Sequence, residues 1–426
     1  MDTERALNLL AQAAQLLHEN GQRTAMGERQ IRQLGRHLHL GLDASMVASW
    51  DMLLIGLRDA DDATPFARRQ LPSSPTNVNM QRVIAASKAI DATLAGAMDI
   101  PSLEAALARA RELPPIPTPL FVLAAVAGAL ALALIFGADH WLPMLLIAVS
   151  AAVGALLRRW LAGHGGNLAM QAFVAALLAG VVGGVAMRLG VPSSLGLIAL
   201  CPCMILVPGP HILNGALDML HARISLGLAR LVYAAITLLA IAAGVVLGMV
   251  LVGSTLPVSG VPQGIALWLD VAAAAVAAAC YSVYFSSPAR LIGWAVLIGA
   301  LAHLARWVAI DMLQANVLVA SWLACLVAGS LVVALNRKHL HFAAVGFAAV
   351  VAMVPGMYVF RWASAMFELV TVSSPQRACQ LQGIGGQDLS TALLVTIAMV
   401  AGLVLPILVW ETWIDRGEAR ASASRR

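Results

Sequence analysis

Charge is what this sequence has least of. Only 12% of its 426 residues are Asp, Glu, Lys or Arg, whereas 60% are hydrophobic and the mean hydropathy is +0.83. Soluble domains carry about 25% charged residues, so this chain cannot cover itself with a water-facing surface. Cysteine is also scarce. Cys201, Cys203, Cys280, Cys325 and Cys379 contain no CxxC pair and fall mostly in apolar runs, which excludes a disulfide framework and offers no metal site. The pair around Pro202 reads as small apolar filler. There is no GxxxxGKS/T, HExxH or GxSxG, so neither ATP-driven pumping nor an enzymatic centre is expected, and no cofactor. No apolar leader opens the chain, because Asp2, Glu4 and Arg5 precede a helix carrying His18 and Glu19. The N-terminus is therefore expected in the cytoplasm.

The few charges are unevenly spread. Residues 1–116 hold 12 basic and 13 acidic residues, a net of −1; the remaining 310 hold 15 and 9, a net of +6. A small cytoplasmic α+β domain (1–116) thus precedes a long membrane region. The basic balance belongs to that region and does not indicate nucleic acid. In the first domain, Ala6, Leu9, Leu10, Ala13, Leu16 and Leu17 share a helical face, with Gly21 as C-cap. A second helix is predicted from the cap Thr24, with Ile31, Leu34 and Leu38 inward. Met46 to Leu57 is β-compatible, and the polar turn Asp59 to Ala63 before Pro65 to Leu71 predicts a hairpin. Helices over Asn77–Ala97 and Pro101–Leu113 follow, and Pro114-Pro-Ile-Pro-Thr-Pro119 forms a stiff linker.

Beyond the linker, ten segments are long and apolar enough to span a hydrocarbon core of about 30 Å. They are Pro119–Phe136, Trp141–Leu157, Leu168–Met187, Leu195–Leu217, Leu231–Val252, Gly264–Phe285, Leu291–Ile310, Val317–Leu335, Phe342–Phe360 and Ala392–Trp410. Lys and Arg favour the cytoplasmic side. With the N-terminus inside, Arg158, Arg159, Arg223, Arg230, Arg290, Arg337, Lys338, Arg416, Arg420, Arg425 and Arg426 face inward, against Arg188, Arg306, Arg361 and Arg377 outside. Both termini are therefore expected in the cytoplasm.

Two interruptions mark a candidate site. Pro208-Gly209 lies in the fourth segment and Pro355-Gly356 in the ninth. Proline removes a backbone donor and glycine adds slack, so both helices are expected to break at membrane depth. Each break is in the fourth helix of its set of five, and five is odd. The halves, 117–255 and 256–426 with a basic tail, must then be inverted, the pattern of secondary transporters with a midplane substrate site. Freed N–H groups and a helix dipole suit a carboxylate, so the substrate should be anionic or zwitterionic. Asp270 is a candidate proton carrier or an interfacial residue. His303 and Arg306 share a helix face: His303 is a candidate to take the coupling proton, and Arg306 either clamps a carboxylate or pairs with Asp311. Asn214 and Asp218 follow the first break by one and two turns, Asn214 being a candidate substrate ligand and Asp218 either a ligand or a helix end. His211 either lines the site or bonds freed carbonyls.

These residues also sit in familiar surroundings. Leu16-Leu17-His-Glu-Asn-Gly21, Val78-Asn-Met-Gln-Arg-Val83, Leu206-Val-Pro-Gly209, Leu213-Asn-Gly-Ala-Leu-Asp218 and Gly227-Leu-Ala-Arg230 resemble the threonine/serine exporter family. Asp270, Ser287-Pro288, Gly299-Ala-Leu-Ala-His303, Arg306 and Met353-Val-Pro-Gly356 resemble the smaller partner found where bacteria split such a transporter into two polypeptides. The chain thus looks like the fused form; Pro210 is one departure from the pattern. The resemblance implies efflux of threonine and serine across the bacterial inner membrane, driven by protons, with succinate as the alternative substrate of the split relatives. Its implied partners are a carboxylate-bearing solute, protons and the lipid bilayer, and a homo-oligomer is compatible with it. A reading of another class makes the soluble domain a membrane-tethered ligand sensor.

Overall fold

The computed structural model describes residues 2–38, 42–59, 65–191, 196–257, 265–336 and 342–423. Part of the expected polar turn (residues 60–63), the starts expected at Leu195 and Gly264, and Arg337, Lys338, Arg425 and Arg426 lie outside them. The N-terminal elements are α1 (Thr3–Glu19), α2 (Thr24–His37), β1 (Leu42–Ala48), β2 (Met52–Asp59), β3 (Pro65–Pro72), α3 (Met80–Leu94) and α4 (Ile100–Glu112). Apolar helices follow: α5 (Thr118–Ile135), α6 (Trp141–Gly163), α7 (Leu168–Arg188), α8 (Leu197–Met204), α9 (Gly209–Leu220), α10 (Ile224–Leu251) and α11 (Leu267–Tyr284). The chain continues through α12 (Ala289–Trp307), α13 (Val317–Asn336), α14 (Phe342–Val350), α15 (Gly356–Thr371) and α16 (Pro375–Ala423). Eight of these helices are long and apolar enough to cross a membrane. The pairs α8/α9 and α14/α15 pass the same test as interrupted spans, which gives up to ten.

The chain divides into two compact units. The first comprises residues 1–117 together with 210–233 and 285–288. Its sheet has the order β1-β2-β3, antiparallel throughout, with Met46 opposite Ile55 and Ile55 opposite Arg69. Leu53, Ile55 and Leu57 alternate along β2 and are all buried against the apolar faces of α1, α2 and α3. Met46 to Leu57 is thus two strands rather than one stretch. Ser49-Trp50-Asp51 reverses the chain, because the Ser49 N–H donates to the Met52 carbonyl at 2.9 Å and the Ser49 hydroxyl to the Asp51 carboxylate. The N-cap of α2 is Arg23, one residue before the expected Thr24. Asp99 caps α4, accepting from the Ser102 N–H at 3.1 Å, with Pro101 in the first turn.

The second unit comprises residues 118–209, 234–284 and 289–426. Its large apolar side chains lie outward as well as inward: Leu123, Trp160, Leu239, Trp268, Ile397 and Val409 are all more than half exposed. A hydrocarbon solvent suits them. The helices recur in one neighbour pattern. α5 packs on α6 and α8, and α6 on α7 and α8; likewise α11 packs on α12 and α14, and α12 on α13 and α14. Glycine brings backbones together at matching places. A Cβ on Gly248 of α10 would stand 2.2 Å from the Leu177 carbonyl oxygen of α7, and one on Gly402 of α16 would stand 2.4 Å from that of Trp322 in α13. Several spans outrun the expected ones: α10 begins at Ile224 rather than Leu231, and α16 at Pro375 rather than Ala392. Charge ended the expected segments, but the backbone ladder has no reason to stop at a charged residue.

Candidate functional site

Both expected breaks are present, and they have the same construction. Pro208 has no N–H for the Met204 carbonyl four residues earlier, and Pro355 none for that of Val351. Each proline instead becomes the centre of a three-residue turn. The Gly209 N–H donates to the Val207 carbonyl and the Gly356 N–H to the Val354 carbonyl, both at 2.8 Å. The Met204 carbonyl accepts instead from the Val207 N–H at 3.4 Å and from the Tyr281 hydroxyl at 3.0 Å, and that of Val351 from the Val354 N–H at 3.0 Å. The α14/α15 pair bends by 45° at its turn. The two turns also meet. A Cβ on Gly209 would lie 3.4 Å from the Val351 side chain, and one on Gly356 would lie 3.3 Å from that of Val207.

Asp270 and His303 come together although 33 residues apart. Asp270 sits in the first turn of α11, and its Oδ2 is 3.3 Å from Nδ1 of His303 on α12. Both are buried, and His303 Nε2 has no hydrogen-bond partner. Arg306 follows on the same helix, half-buried, with Nε unpartnered. Among the described residues it makes no ion pair with Asp311. A π-helical turn over Val308–Met312 directly follows it, a device that recurs near functional sites.

His211, Asn214 and Asp218 have partners within the N-terminal unit. His211 Nε2 is 3.1 Å from the Pro75 carbonyl, and the Asn214 side-chain amide donates to the Gly21 carbonyl at 3.3 Å. Asp218 pairs with the buried Arg230 at 3.1 Å and more loosely with Arg223 at 3.9 Å, while Arg223 holds Glu28 through two hydrogen bonds. The start of α3 is completed the same way. The Met80 and Gln81 N–H groups, which have no intrahelical partner, donate to the Phe285 and Ser286 carbonyls at 2.9 and 3.0 Å. His18 lies buried in this cluster. Enclosure, and then the Arg230 charge, push its pKa down from 6.5 to about 3.

Beyond residue 117, three buried arginines among the described residues carry no site expectation. Arg158 is 7% exposed on α6, and Arg230 is 1% exposed on α10. Arg361 on α15 pairs with Asp388 of α16 at 3.2 Å. All three had been read as loop charges at span ends. Their spacing held one signal: Arg361 follows Gly356 by five residues, as Asn214 follows Gly209.

A family model described as "Putative threonine/serine exporter" matches residues 8–252, and one described as "Threonine/Serine exporter, ThrE" matches residues 270–409. No solved structure matches the chain.

Proposed function

Because the chain belongs to the threonine/serine exporter family, we propose that it is a secondary active transporter. It exports a threonine- or serine-like amino acid across the inner membrane, coupled to protons. The observation that carries this reading is the reciprocal contact of the two Pro-Gly turns, Gly209 with Val351 and Gly356 with Val207. Two interrupted helices that meet form the kind of junction at which secondary transporters hold their substrate. The shared neighbour pattern of α5–α8 and α11–α14 supports two inverted five-helix halves, and the excess of inner Lys and Arg supports cytoplasmic termini.

Within that reading Pro208, Gly209, Pro355 and Gly356 form the moving centre, and Asp270 with His303 carries the proton. Arg306 acts on the substrate carboxylate. His211, Asn214 and Asp218 serve the site by tethering the chain after the first break to the N-terminal domain, which is their hydrogen-bonding role in the fold. Inverted vesicles under an imposed pH gradient test the proposal. They should accumulate labelled threonine or serine faster than succinate, and collapse of the gradient should stop it. No accumulation of any of the three would overturn the exporter reading.

A further inference from the structure

Arg158 is a buried cation for which the proposed mechanism has no use. It lies on α6, and among the described residues no carboxylate pairs with it. Its guanidinium carbon stands 5.2 Å from the Tyr284 ring centre and 5.7 Å from that of Phe121, and its Nε has no hydrogen-bond partner. Ring faces offset only part of the cost of enclosing a cation, so the site lacks an anion. Beside it is a small, partly open cleft lined among others by Ser150, Gly154, Arg158, Pro202, Ile205 and Leu206. The Ser150 hydroxyl is also buried there without a partner.

The cavity has two poles. Arg158 supplies a fixed positive charge, and Ser150 a hydroxyl. Ile205 and Leu206 lie at the carboxyl end of α8, where the dipole is negative and favours a cation. An α-amino acid carries one carboxylate and one ammonium, which matches this arrangement. A dicarboxylate would turn its second anion toward the carbonyl end. The second half differs in a telling way. Arg158 is residue 18 of α6 and Arg306 residue 18 of α12, but where α11 has Asp270 as its fourth residue, α5 has Phe121. The second half thus has a carboxylate where the first has an aromatic ring, and that carboxylate pairs with His303 at 3.3 Å.

We propose that the cavity beside the first break binds the carboxylate of a zwitterionic α-amino acid through Arg158, with Ser150 as a second donor. The assignment rests on the exporter reading and narrows it to amino acids over dicarboxylates. Calorimetric titration of the full chain in lipid nanodiscs tests it, with L-threonine, L-threoninamide (which lacks the carboxylate) and succinate as probes. The wild type should bind threonine at least about 10-fold more tightly than either alternative, the scale of a charged hydrogen bond. Arg158→Gln should remove the preference over the amide, and Arg158→Lys should restore part of it. Wild-type threonine affinity in Arg158→Gln, or a preserved preference over the amide, would overturn the site while leaving the exporter reading intact. If Arg158→Gln does not fold, Ala151→Leu, which fills the cavity, carries the same test: weaker threonine binding supports the site and unchanged binding overturns it. A wild type that neither binds nor exports threonine overturns both readings.

Discussion

His18 and His303 are both buried, but only His303 has an acid beside it. At His18 enclosure and the neighbouring Arg230 hold the pKa near 3, against 6.5 in an unfolded chain, so the ring is neutral in the fold. A depressed pKa gives stability that is complete above pH 6.5 and is lost as pH falls from 6.5 toward 3, by up to about 1.4 kcal/mol per pH unit. Thermal unfolding followed through the N-terminal unit should therefore drop between pH 7.5 and pH 5, and His18→Gln should flatten that slope. At His303 the partner is Asp270, and we expect Asp270→Asn to lower gradient-driven export at least about 10-fold. Exchange of labelled for unlabelled substrate without a gradient should persist; equal loss of both would remove the coupling role. Asp270 and His303 were legible in the sequence because polar groups stand out in apolar runs. Arg158, Arg230 and Arg361 were not, because a charge at the edge of a run reads equally as loop or as helix. Only the packing of other helices around it decides.

At the scale of the element, the breaks were legible for a chemical reason: proline forbids the same backbone bond wherever it lies in a helix. What spacing alone did not reveal is that both turns close through the same glycine N–H and face one another. That contact limits substitution. A methyl at Gly209 meets Val351 at 3.4 Å and one at Gly356 meets Val207 at 3.3 Å, so Gly→Ala asks the facing valine to shift only slightly. Gly→Leu must displace the opposite turn, and we expect it to reduce export at least about 10-fold while the protein still reaches the membrane. Gly248 provides the contrast, since even a methyl would collide with the Leu177 carbonyl at 2.2 Å. Gly248→Ala should therefore lower membrane abundance and melting temperature, at a cost of about 1–3 kcal/mol. Measuring abundance alongside export separates the two cases.

Across the whole molecule, composition splits the chain into a charged beginning and an apolar remainder. It had no means of showing that the compact unit containing residues 1–117 also takes in residues 210–233 and 285–288. Those segments are joined to it by hydrogen bonds and ion pairs, which leave no periodicity to read. They converge on the motif residues of the N-terminal domain: Gly21 accepts from Asn214, Met80 and Gln81 donate to Phe285 and Ser286, and Glu28 binds Arg223. The N-terminal unit thus includes these two segments as well as residues 1–117. Residues 1–117 expressed alone would leave the first N–H groups of α3 and the Gly21 carbonyl without these partners. Hydrogen exchange at Met80 and Gln81 should then be at least about 10-fold faster in the fragment than in the full chain, the scale of one lost hydrogen bond. The Glu28–Arg223 pair supplies the converse test. Glu28→Arg places two cations together and should reduce export and protection at α2, whereas Glu28→Arg with Arg223→Glu restores the attraction and should recover most of both. Recovery in the double variant would tie export to the grip of the domain; persistent loss would mean that Glu28 acts by some other contact.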